Sequence, residues 1–265
     1  MNLLFEKKTS TLRRGLFDVQ NEVGVGRDEE DYHQAFALSL AGNDVPFESK
    51  PSWPLMIHDQ LAYTLIPDVV AWDEIVIELK ALQRKLRKPE MAQLFDYLKA
   101  RDKSLGLLTN LGLGRVEVQR LVFERRVSEF DEDWNQWTGE VSGEAREAGL
   151  KVRQALRDVY DQHGTGYSAE VLRRLILTAL AHHGLSVVED PTAQACFRGV
   201  ELRESTLDSL LINEQIVLSY TALFDEANYA MSRALSYLRA LRLSWAVAAN
   251  FGKTTARIIG IGAHK

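Results

Sequence analysis

The chain has 265 residues, a net charge of −5 and a single cysteine, Cys196. No apolar run approaches the ~18 residues that a membrane-spanning helix needs, which excludes a helical membrane protein. We expect a cytoplasmic protein, because one cysteine offers no disulfide framework and no apolar leader is followed by a cleavage site. The acidic balance gives no support to non-specific phosphate binding, which depends on lysine and arginine, although nucleic acid is not excluded as a partner.

The first half of the chain predicts an alternation of helices and strands. Apolar residues at helical spacing, such as Leu12 and Leu16, predict a first helix over residues 10–23. Pro89 marks the start of a later helix, because proline suits the first helical positions. The remaining elements predicted from apolar periodicity and turn residues are a helix at 27–41, strands at 47–57, 63–71 and 75–79, a helix at 89–100, and strands at 105–111 and 116–123.

Acidic residues and two tryptophans dominate residues 128–142. They are Glu129, Asp131, Glu132, Asp133 and Glu140 beside Trp134 and Trp137. We interpret this segment as an acidic linker whose indole rings dock on a domain. It separates a predicted first domain, residues 1–127, from a predicted second domain, residues 143–265, and each is long enough to bury its own core.

The second domain repeats the first at an offset of 140 residues. The matched pairs include Gly24 with Gly164, Gly26 with Gly166, Asp68 with Asp208, Tyr97 with Tyr237, and Asn110 with Asn250. These positions are turn formers and helix residues spread along both domains, and a single offset relates them all. The chain is therefore predicted to be a tandem duplication of the α/β class, with the same order of elements in each copy.

Two carboxylates and a lysine lie close together on two predicted strands of the first copy. A hairpin whose turn is centred near Asp73 places Asp68 opposite Glu78. Cβ atoms of directly opposed residues lie roughly 4.5–5.5 Å apart, and like charges at that distance destabilise a strand pair unless a cation lies between them. Because side chains alternate along a strand, Lys80 shares the face of Glu78.

This combination of side chains suits the hydrolysis of a phosphodiester. Hard oxygen ligands favour Mg²⁺ or Mn²⁺ over zinc, and such an ion polarises a phosphoryl oxygen and acidifies its bound water. Lys80 would stabilise developing charge or help to position that water. The alternative is an edge hairpin in which Asp68 ends a turn and Glu78 pairs with Lys80 in solvent.

Glu29 is a further candidate, because it shares the apolar face of the second predicted helix with Tyr32 and Phe36. A buried, unpaired carboxylate is costly, so we expect Glu29 to reach the same polar site as a ligand or a positioning group. The alternative is an acid that merely favours the first helical turn. The second copy has Ala169 at this position.

Basic residues follow Lys80 closely and could hold a phosphate backbone beside the metal. They are Arg84, Lys85, Arg87 and Lys88. A solvated loop is the alternative reading of this cluster. Gln93, one helical turn past Pro89, could orient Lys80 or contact the scissile phosphate, or it could be an ordinary exposed glutamine. His33 lies four residues after Glu29, and a core or surface histidine is the simpler reading of it.

The second copy lacks these groups. Glu78 and Lys80 become Leu218 and Tyr220, or Ser219 and Thr221 if one residue is inserted. The partners of the basic cluster are Phe224, Asp225, Ala227 and Asn228, and Arg233 replaces Gln93. The joint loss of acid, lysine and basic cluster in a half that keeps the fold signals is what loss of one shared function would produce.

At these residues the chain resembles the GxxExxY protein family, a branch of the PD-(D/E)XK nuclease superfamily. Residues 26–32 fit the naming motif, and Pro67-Asp68 with Glu78-Leu79-Lys80 resembles the nuclease signature. Gln93 with Tyr97-Leu98 is similar to the helix that follows the signature, and residues 106–112 resemble the family's next strand. The resemblance covers about residues 10–125.

The resemblance implies two tandem restriction-endonuclease-like αβββαβ domains that form a pseudo-dimer. It implies catalysis by Asp68, Glu78 and Lys80 with Glu29 and Gln93 assisting. The three carboxylates would bind Mg²⁺ or Mn²⁺.

Nucleic acid is the partner that the resemblance implies, with DNA favoured over RNA, and Tyr32 would join the basic residues in binding it. Asp208 of the second copy has no carboxylate or lysine partner, so that copy is predicted to be degenerate. The prediction is a metal-dependent nuclease. The alternative is a non-catalytic scaffold that binds nucleic acid or protein. The sequence identifies no protein partner and does not decide whether the chain associates with itself.

Overall fold

A computed structural model describes residues 4–137, 141, 143–223 and 227–263. Glu140 of the predicted linker, and Phe224 and Asp225 of the second copy, lie outside the described residues. Within the described ranges, no helix has both the length and the apolar character to cross a membrane. The chain divides into two compact units, Met1–Pro54 with Thr64–Arg125, and Leu55–Tyr63 with Arg126–Lys265.

The first copy is a sheet flanked by helices. Its elements in chain order are α1 (Glu6–Val23), α2 (Glu29–Gly42), β1 (Phe47–Ser49), β2 (Trp53–Ile57), β3 (Gln60–Leu65), β4 (Val69–Ala71), β5 (Ile75–Lys80), α3 (Lys88–Ala100), β6 (Leu105–Asn110) and β7 (Glu117–Val122). The five-stranded sheet has the order β1-β4-β5-β6-β7. Among the neighbouring strands of this sheet, β5 and β6 are parallel and the other pairs are antiparallel. Strands β2 and β3 form a separate two-stranded sheet whose turn belongs to the second unit.

Capping and helical spacing of apolar residues explain the first two helices. Leu12 and Leu16 of α1 are fully buried, and burial of one such side chain contributes roughly 1.5–3 kcal/mol. Helix α1 ends at Gly24, whose positive φ of 79° suits glycine. Helix α2 begins after Asp28, whose carboxylate accepts a hydrogen bond from the backbone amide of Asp31.

The two faces of strand β5 have different partners. Ile77 and Leu79 lie in one core cluster with Leu16 of α1 and Phe36 of α2. Alternate residues of a strand point to opposite faces, so Glu78 and Lys80 leave β5 on the face away from that cluster. Helix α3 packs on β5 and β6. Strand β5 thus carries an apolar row on one face and a polar pair at its carboxyl end on the other.

The second unit repeats this arrangement. Its elements are β8 (Glu129–Asp133), a 3₁₀ turn (Asn135–Trp137), α4 (Gly143–His163), α5 (Ala169–His182), β9 (Val187–Glu189), β10 (Thr192–Phe197), β11 (Val200–Thr206), β12 (Leu210–Ile212), β13 (Ile216–Ala222), α6 (Ala227–Ala240), β14 (Trp245–Phe251) and β15 (Thr255–Gly262). The main sheet has the order β8-β15-β14-β13-β12-β9, and β10 pairs with β11 in a separate hairpin. Helix α6 buries Ala230, Ala234 and Leu238 against this sheet.

The interpretation of residues 128–142 as a linker is corrected by strand β8. Glu129–Asp133 adds to the edge of the second sheet by pairing in parallel with β15. Alternate residues of β8 are exposed, so an edge strand tolerates this acidic sequence. The expected docking of the indole rings is confirmed for Trp137, which is buried and donates a hydrogen bond to the carbonyl of Ile261 at 3.2 Å.

Strand pairing shows that the repeat offset is not constant. Asn110 pairs with Lys80 in the first copy, and Asn250 pairs with Thr221 in the second. Thr221 is therefore the structural equivalent of Lys80, at an offset of 141, and the predicted alternative with one inserted residue is the correct one. The same offset relates β4 to β12, since both strands lie at matching positions of their hairpins. Helices α2 and α5 keep the offset of 140.

The packing of Trp137 predicts an unequal response to two glycine substitutions in helices. A Cβ atom added at Gly149 of α4 would meet the Trp137 ring at 1.9 Å, whereas one added at Gly42 of α2 meets no atom within 4 Å. We expect Gly149→Ala to destabilise the protein by about 1–3 kcal/mol through overpacking. The matched Gly42→Ala variant should be neutral or more stable by about 0.4–1 kcal/mol. Urea unfolding compares them, and equal stabilities would contradict this packing.

Candidate active site

The register of β4 and β5 brings two carboxylates together. Val69 pairs with Ile77, so Asp68, which immediately precedes β4, lies opposite Glu78. Asp68 is 7% exposed and Glu78 is 2% exposed. The Asp68 Oδ2 atom accepts a hydrogen bond from the backbone amide of Leu79 at 2.7 Å. One backbone donor thus holds Asp68 at the end of the hairpin where Glu78 emerges.

Glu78 is buried with only half of its carboxylate satisfied. Its Oε1 atom accepts a hydrogen bond from Lys80 Nζ at 2.6 Å. Its Oε2 atom has no hydrogen-bond partner among the described residues. Burial, and then the negative charge of Asp68, raise the pKa of Glu78 to about 8. A carboxyl group in this setting gains from a nearby cation, which would offset both causes.

Lys80 and Glu29 complete the cluster. Lys80 Nζ lies 3.7 Å from Oε1 of Glu29, which is the first residue of α2. Burial lowers the pKa of Lys80, but Glu78, Glu29 and Asp68 outweigh burial, so its pKa is raised above the usual value. Burial raises the pKa of Glu29, and the charge of Lys80 opposes that change only in part. The helix start therefore contributes a third carboxyl group beside the lysine.

His33 supports this cluster in a way that the sequence did not predict. The side chain is buried, and its Nε2 atom lies 3.2 Å from the carbonyl oxygen of Asp68 and 3.1 Å from the Ser49 hydroxyl. It thus joins α2 to the backbone that carries Asp68. The available signal was its position one helical turn after Glu29, on the same face of α2.

Two other predicted site residues have different contacts. Gln93 donates a hydrogen bond to the Tyr97 hydroxyl at 2.7 Å, and Tyr97 donates to the carbonyl of Ile66 at 3.3 Å. Gln93 is therefore connected to the backbone just before the Asp68 turn. The expectation that Tyr32 contacts nucleic acid is wrong. Its side chain is fully buried and its hydroxyl donates to the Gly24 carbonyl at 2.9 Å, so the ring has no surface to offer a substrate.

The basic cluster after β5 divides into one paired residue and three exposed ones. Arg84 donates two hydrogen bonds to the carboxylate of Glu90, and this pairing lowers the pKa of Glu90 to about 2. Glu90 also accepts from the backbone amide of Arg87, which fixes the start of α3. Lys85, Arg87 and Lys88 have exposed side chains. No ion pair joins these three side chains to any residue within the described ranges.

The equivalent positions in the second unit hold no acid and no lysine. By the pairing of β12 with β13 and of β13 with β14, the counterparts are Ser209 for Asp68, Ser219 for Glu78 and Thr221 for Lys80. The expectation that Asp208 replaces Asp68 is wrong, because one inserted residue shifts Asp208 to the place of Pro67. Asp208 has a side chain that is 65% exposed.

Two arginines occupy the second copy's polar site instead. Arg233, at the position of Gln93 on the equivalent helix, donates to the Ser219 hydroxyl at 2.8 Å and to the Tyr220 carbonyl. Arg173, at the position of His33, makes ion pairs with Glu189 and Asp190. Both guanidinium groups also approach the carboxylate of Asp208, Arg173 at 3.8 Å and Arg233 at 3.3 Å, so two fixed positive charges lie at this end of the second copy's hairpin.

The first copy's cluster fits a divalent cation of the Mg²⁺ or Mn²⁺ type. One buried oxygen of Glu78 has no hydrogen-bond partner within the described part of the chain, and Asp68 and Glu29 are the other oxygen donors that would hold the ion. Carboxylate oxygens are the preferred ligands of these hard ions. A bound cation would relieve the repulsion between Glu78 and Asp68, which is the second cause of the raised pKa of Glu78.

Comparison with known proteins identifies one family. A sequence profile of the PD-(D/E)XK nuclease superfamily matches residues 6–121 and, separately, residues 146–259. Each match coincides with one sheet and its helices. Searches among curated proteins and among solved structures gave no match. The profile describes the superfamily, so membership of the narrower GxxExxY family stays a prediction.

The raised pKa of Glu78 predicts that metal affinity depends on pH. Because this pKa lies near 8 in the metal-free protein, Glu78 is largely protonated at pH 6 and must lose its proton to bind a cation. Affinity for Mn²⁺ should rise about tenfold per pH unit between pH 6 and 8 and level off above that range. Calorimetric titration of the wild type measures the trend, with Glu78→Gln as the control that should show weak binding at every pH. A wild-type affinity independent of pH would contradict the assignment.

The second copy predicts how the first could be inactivated. Gln93→Arg should place a guanidinium beside Glu78, as Arg233 is placed beside Ser219, and the arginine would compete with a metal ion for the carboxylate. We expect Mn²⁺ affinity to fall at least about tenfold, or ~1.4 kcal/mol. The control Gln93→Ala removes the amide without adding charge and should leave the affinity unchanged. Equal loss in both variants would show that charge is not the cause.

Proposed function

Because the chain belongs to the PD-(D/E)XK nuclease superfamily, we propose that its first copy is a metal-dependent nuclease that hydrolyses phosphodiester bonds in nucleic acid. The observation that carries this proposal is the difference between two copies of one fold. In the first copy, Glu29, Asp68 and Lys80 lie around the buried carboxylate of Glu78. One oxygen of that carboxylate has no hydrogen-bond partner among the described residues. The second copy has alanine, two serines and a threonine at these positions. An acidic, buried site is costly to maintain for stability alone, so a functional role accounts for its retention.

The residues divide into ligands and a fixed positive charge. Asp68, Glu78 and Glu29 would hold Mg²⁺ or Mn²⁺, which when bound polarises the phosphoryl oxygen and acidifies a coordinated water. Lys80 has a raised pKa, so it stays an ammonium at neutral pH and does not accept a proton. Its role is to stabilise negative charge that develops on the phosphate. His33 is a positioning residue, because it acts through the backbone of Asp68.

Substrate binding is assigned to the exposed part of the basic cluster. Lys85, Arg87 and Lys88 follow the catalytic strand and precede α3 in a short segment. None of the three side chains makes an ion pair within the described ranges. Lysine and arginine side chains release counterions when they contact phosphates, which favours a nucleic-acid backbone as the ligand. Arg84 is a weaker candidate, because its guanidinium is already paired with Glu90. DNA is the first polymer to test, followed by RNA.

A nuclease assay with matched variants in the two copies tests the proposal. Single- and double-stranded DNA and RNA are incubated with the full chain in Mg²⁺, Mn²⁺ or chelator. We expect Lys80→Ala to reduce the cleavage rate by about 10²-fold or more, through loss of charge stabilisation. Asp68→Asn and Glu78→Gln should reduce both cleavage and metal affinity. Thr221→Ala, at the equivalent position of the second copy, should leave the rate unchanged.

Three results would contradict the proposal of a metal-dependent nuclease. Cleavage that persists in chelator would show that the reaction needs no metal ion. Cleavage that Lys80→Ala leaves unchanged would show that the proposed site is not the catalytic site. Binding of Mn²⁺ and nucleic acid by the wild type without cleavage of any polymer would favour the non-catalytic scaffold instead.

A further inference from the structure

A second cluster of potential metal ligands lies entirely within the second unit. His58 occupies the turn between β2 and β3, in the segment Leu55–Tyr63 that belongs to this unit. Asp158 lies on α4, and His183 is the C-cap residue that immediately follows α5. The proposed nuclease residues belong to the other unit, so these three side chains have no part in that site. Three segments distant in sequence thus meet at one carboxylate.

The three side chains converge on a common point. His58 Nε2 lies 2.8 Å from Asp158 Oδ2, and His183 Nε2 lies 2.7 Å from the same oxygen. All three ligand atoms lie within 4.8 Å of one another. Asp158 is 7% exposed, whereas the side chain of His58 is 36% exposed. The cluster therefore has a buried anchor and an opening to solvent through which an ion could enter.

Neighbouring groups orient these ligands. Gln154 donates a hydrogen bond to the other oxygen of Asp158 at 2.8 Å, and Gln162 accepts one from the backbone amide of His58 at 3.2 Å. The ring of His182 stacks on the ring of His58, with centroids 4.1 Å apart. The hydrogen bond from Gln154 to the second oxygen of Asp158 is the kind of contact that orients a metal ligand.

We propose that His58, His183 and Asp158 bind a transition-metal ion, with Zn²⁺ as the best fit. Two imidazole nitrogens and one carboxylate oxygen form a ligand set that suits Zn²⁺ and leaves a further position for water. Mg²⁺ prefers oxygen ligands alone. The carboxylate site of the first unit would therefore bind Mg²⁺ or Mn²⁺, and the histidine-containing site would bind Zn²⁺. The zinc ion would join the β2–β3 turn to helices α4 and α5 of the same unit.

Zinc binding by the full chain tests this proposal. The experiment uses the Glu78→Gln protein, so that the carboxylate site of the first unit does not contribute. Calorimetric titration should show one Zn²⁺ per chain, and excess Zn²⁺ should raise the melting temperature, because an ion that binds only the folded state stabilises it. His58→Ala and His183→Ala should each weaken binding at least about 100-fold. His182→Ala removes the stacked ring but no ligand, and it should retain the binding stoichiometry.

Cobalt provides a readout that does not depend on the stability of the variants. Co²⁺ bound to the Glu78→Gln protein should show the intense visible absorption of a four- or five-coordinate site with nitrogen ligands, and Zn²⁺ should displace it. The proposal is overturned if Co²⁺ shows only the weak spectrum of the hydrated ion, or if Zn²⁺ binds equally to the folded His58→Ala and His183→Ala proteins. Nuclease activity is not a readout here, so failure of this proposal leaves the proposed nuclease untouched.

Discussion

Two buried carboxylates that face each other across a tight β-hairpin are the constraint on which the first unit's polar site depends. Asp68 and Glu78 are both nearly inaccessible to solvent, and neither burial nor proximity favours two negative charges. The protein partly offsets this cost with the amide of Leu79 and the ammonium of Lys80. One oxygen of Glu78 is left without a partner among the described residues. The site is therefore short of positive charge in a position where an ion can supply it.

The second unit has the same hairpin but lacks the two facing acids. Serines at the two acid positions remove the repulsion, and Arg233 donates to one of them, Ser219. Arg173 makes ion pairs with Glu189, the last residue of β9, and with Asp190, which follows it. Both arginines also pair with Asp208, so their positive charges are balanced by acids of the chain. The duplicated fold persists because its core depends on apolar packing, as in the cluster around Val217 and Ala234, and not on the polar site.

Short-range patterns were sufficient for the hairpin but failed where the chain gained one residue. The turn near Asp73 and the alternation of β-rich residues predicted that Asp68 lies opposite Glu78, and the observed pairing of Val69 with Ile77 gives that register. The match of Asp208 to Asp68 was wrong, because a shift of one residue along a strand exchanges its two faces. The insertion was weighed for Glu78 and Lys80, whose counterparts are Ser219 and Thr221, but it was not applied to Asp68.

The sequence by itself determined the duplication, the α/β class and the presence of an acid and lysine set in only one copy, because these properties lie in the identity and spacing of nearby residues. Tertiary structure alone decided that Tyr32 is buried, that β8 belongs to a sheet, and that His58 meets Asp158. Burial depends on the whole of a residue's surroundings, and strand partners are separated by long stretches of chain. Such contacts form only when the core brings distant segments together, so no local pattern encodes them.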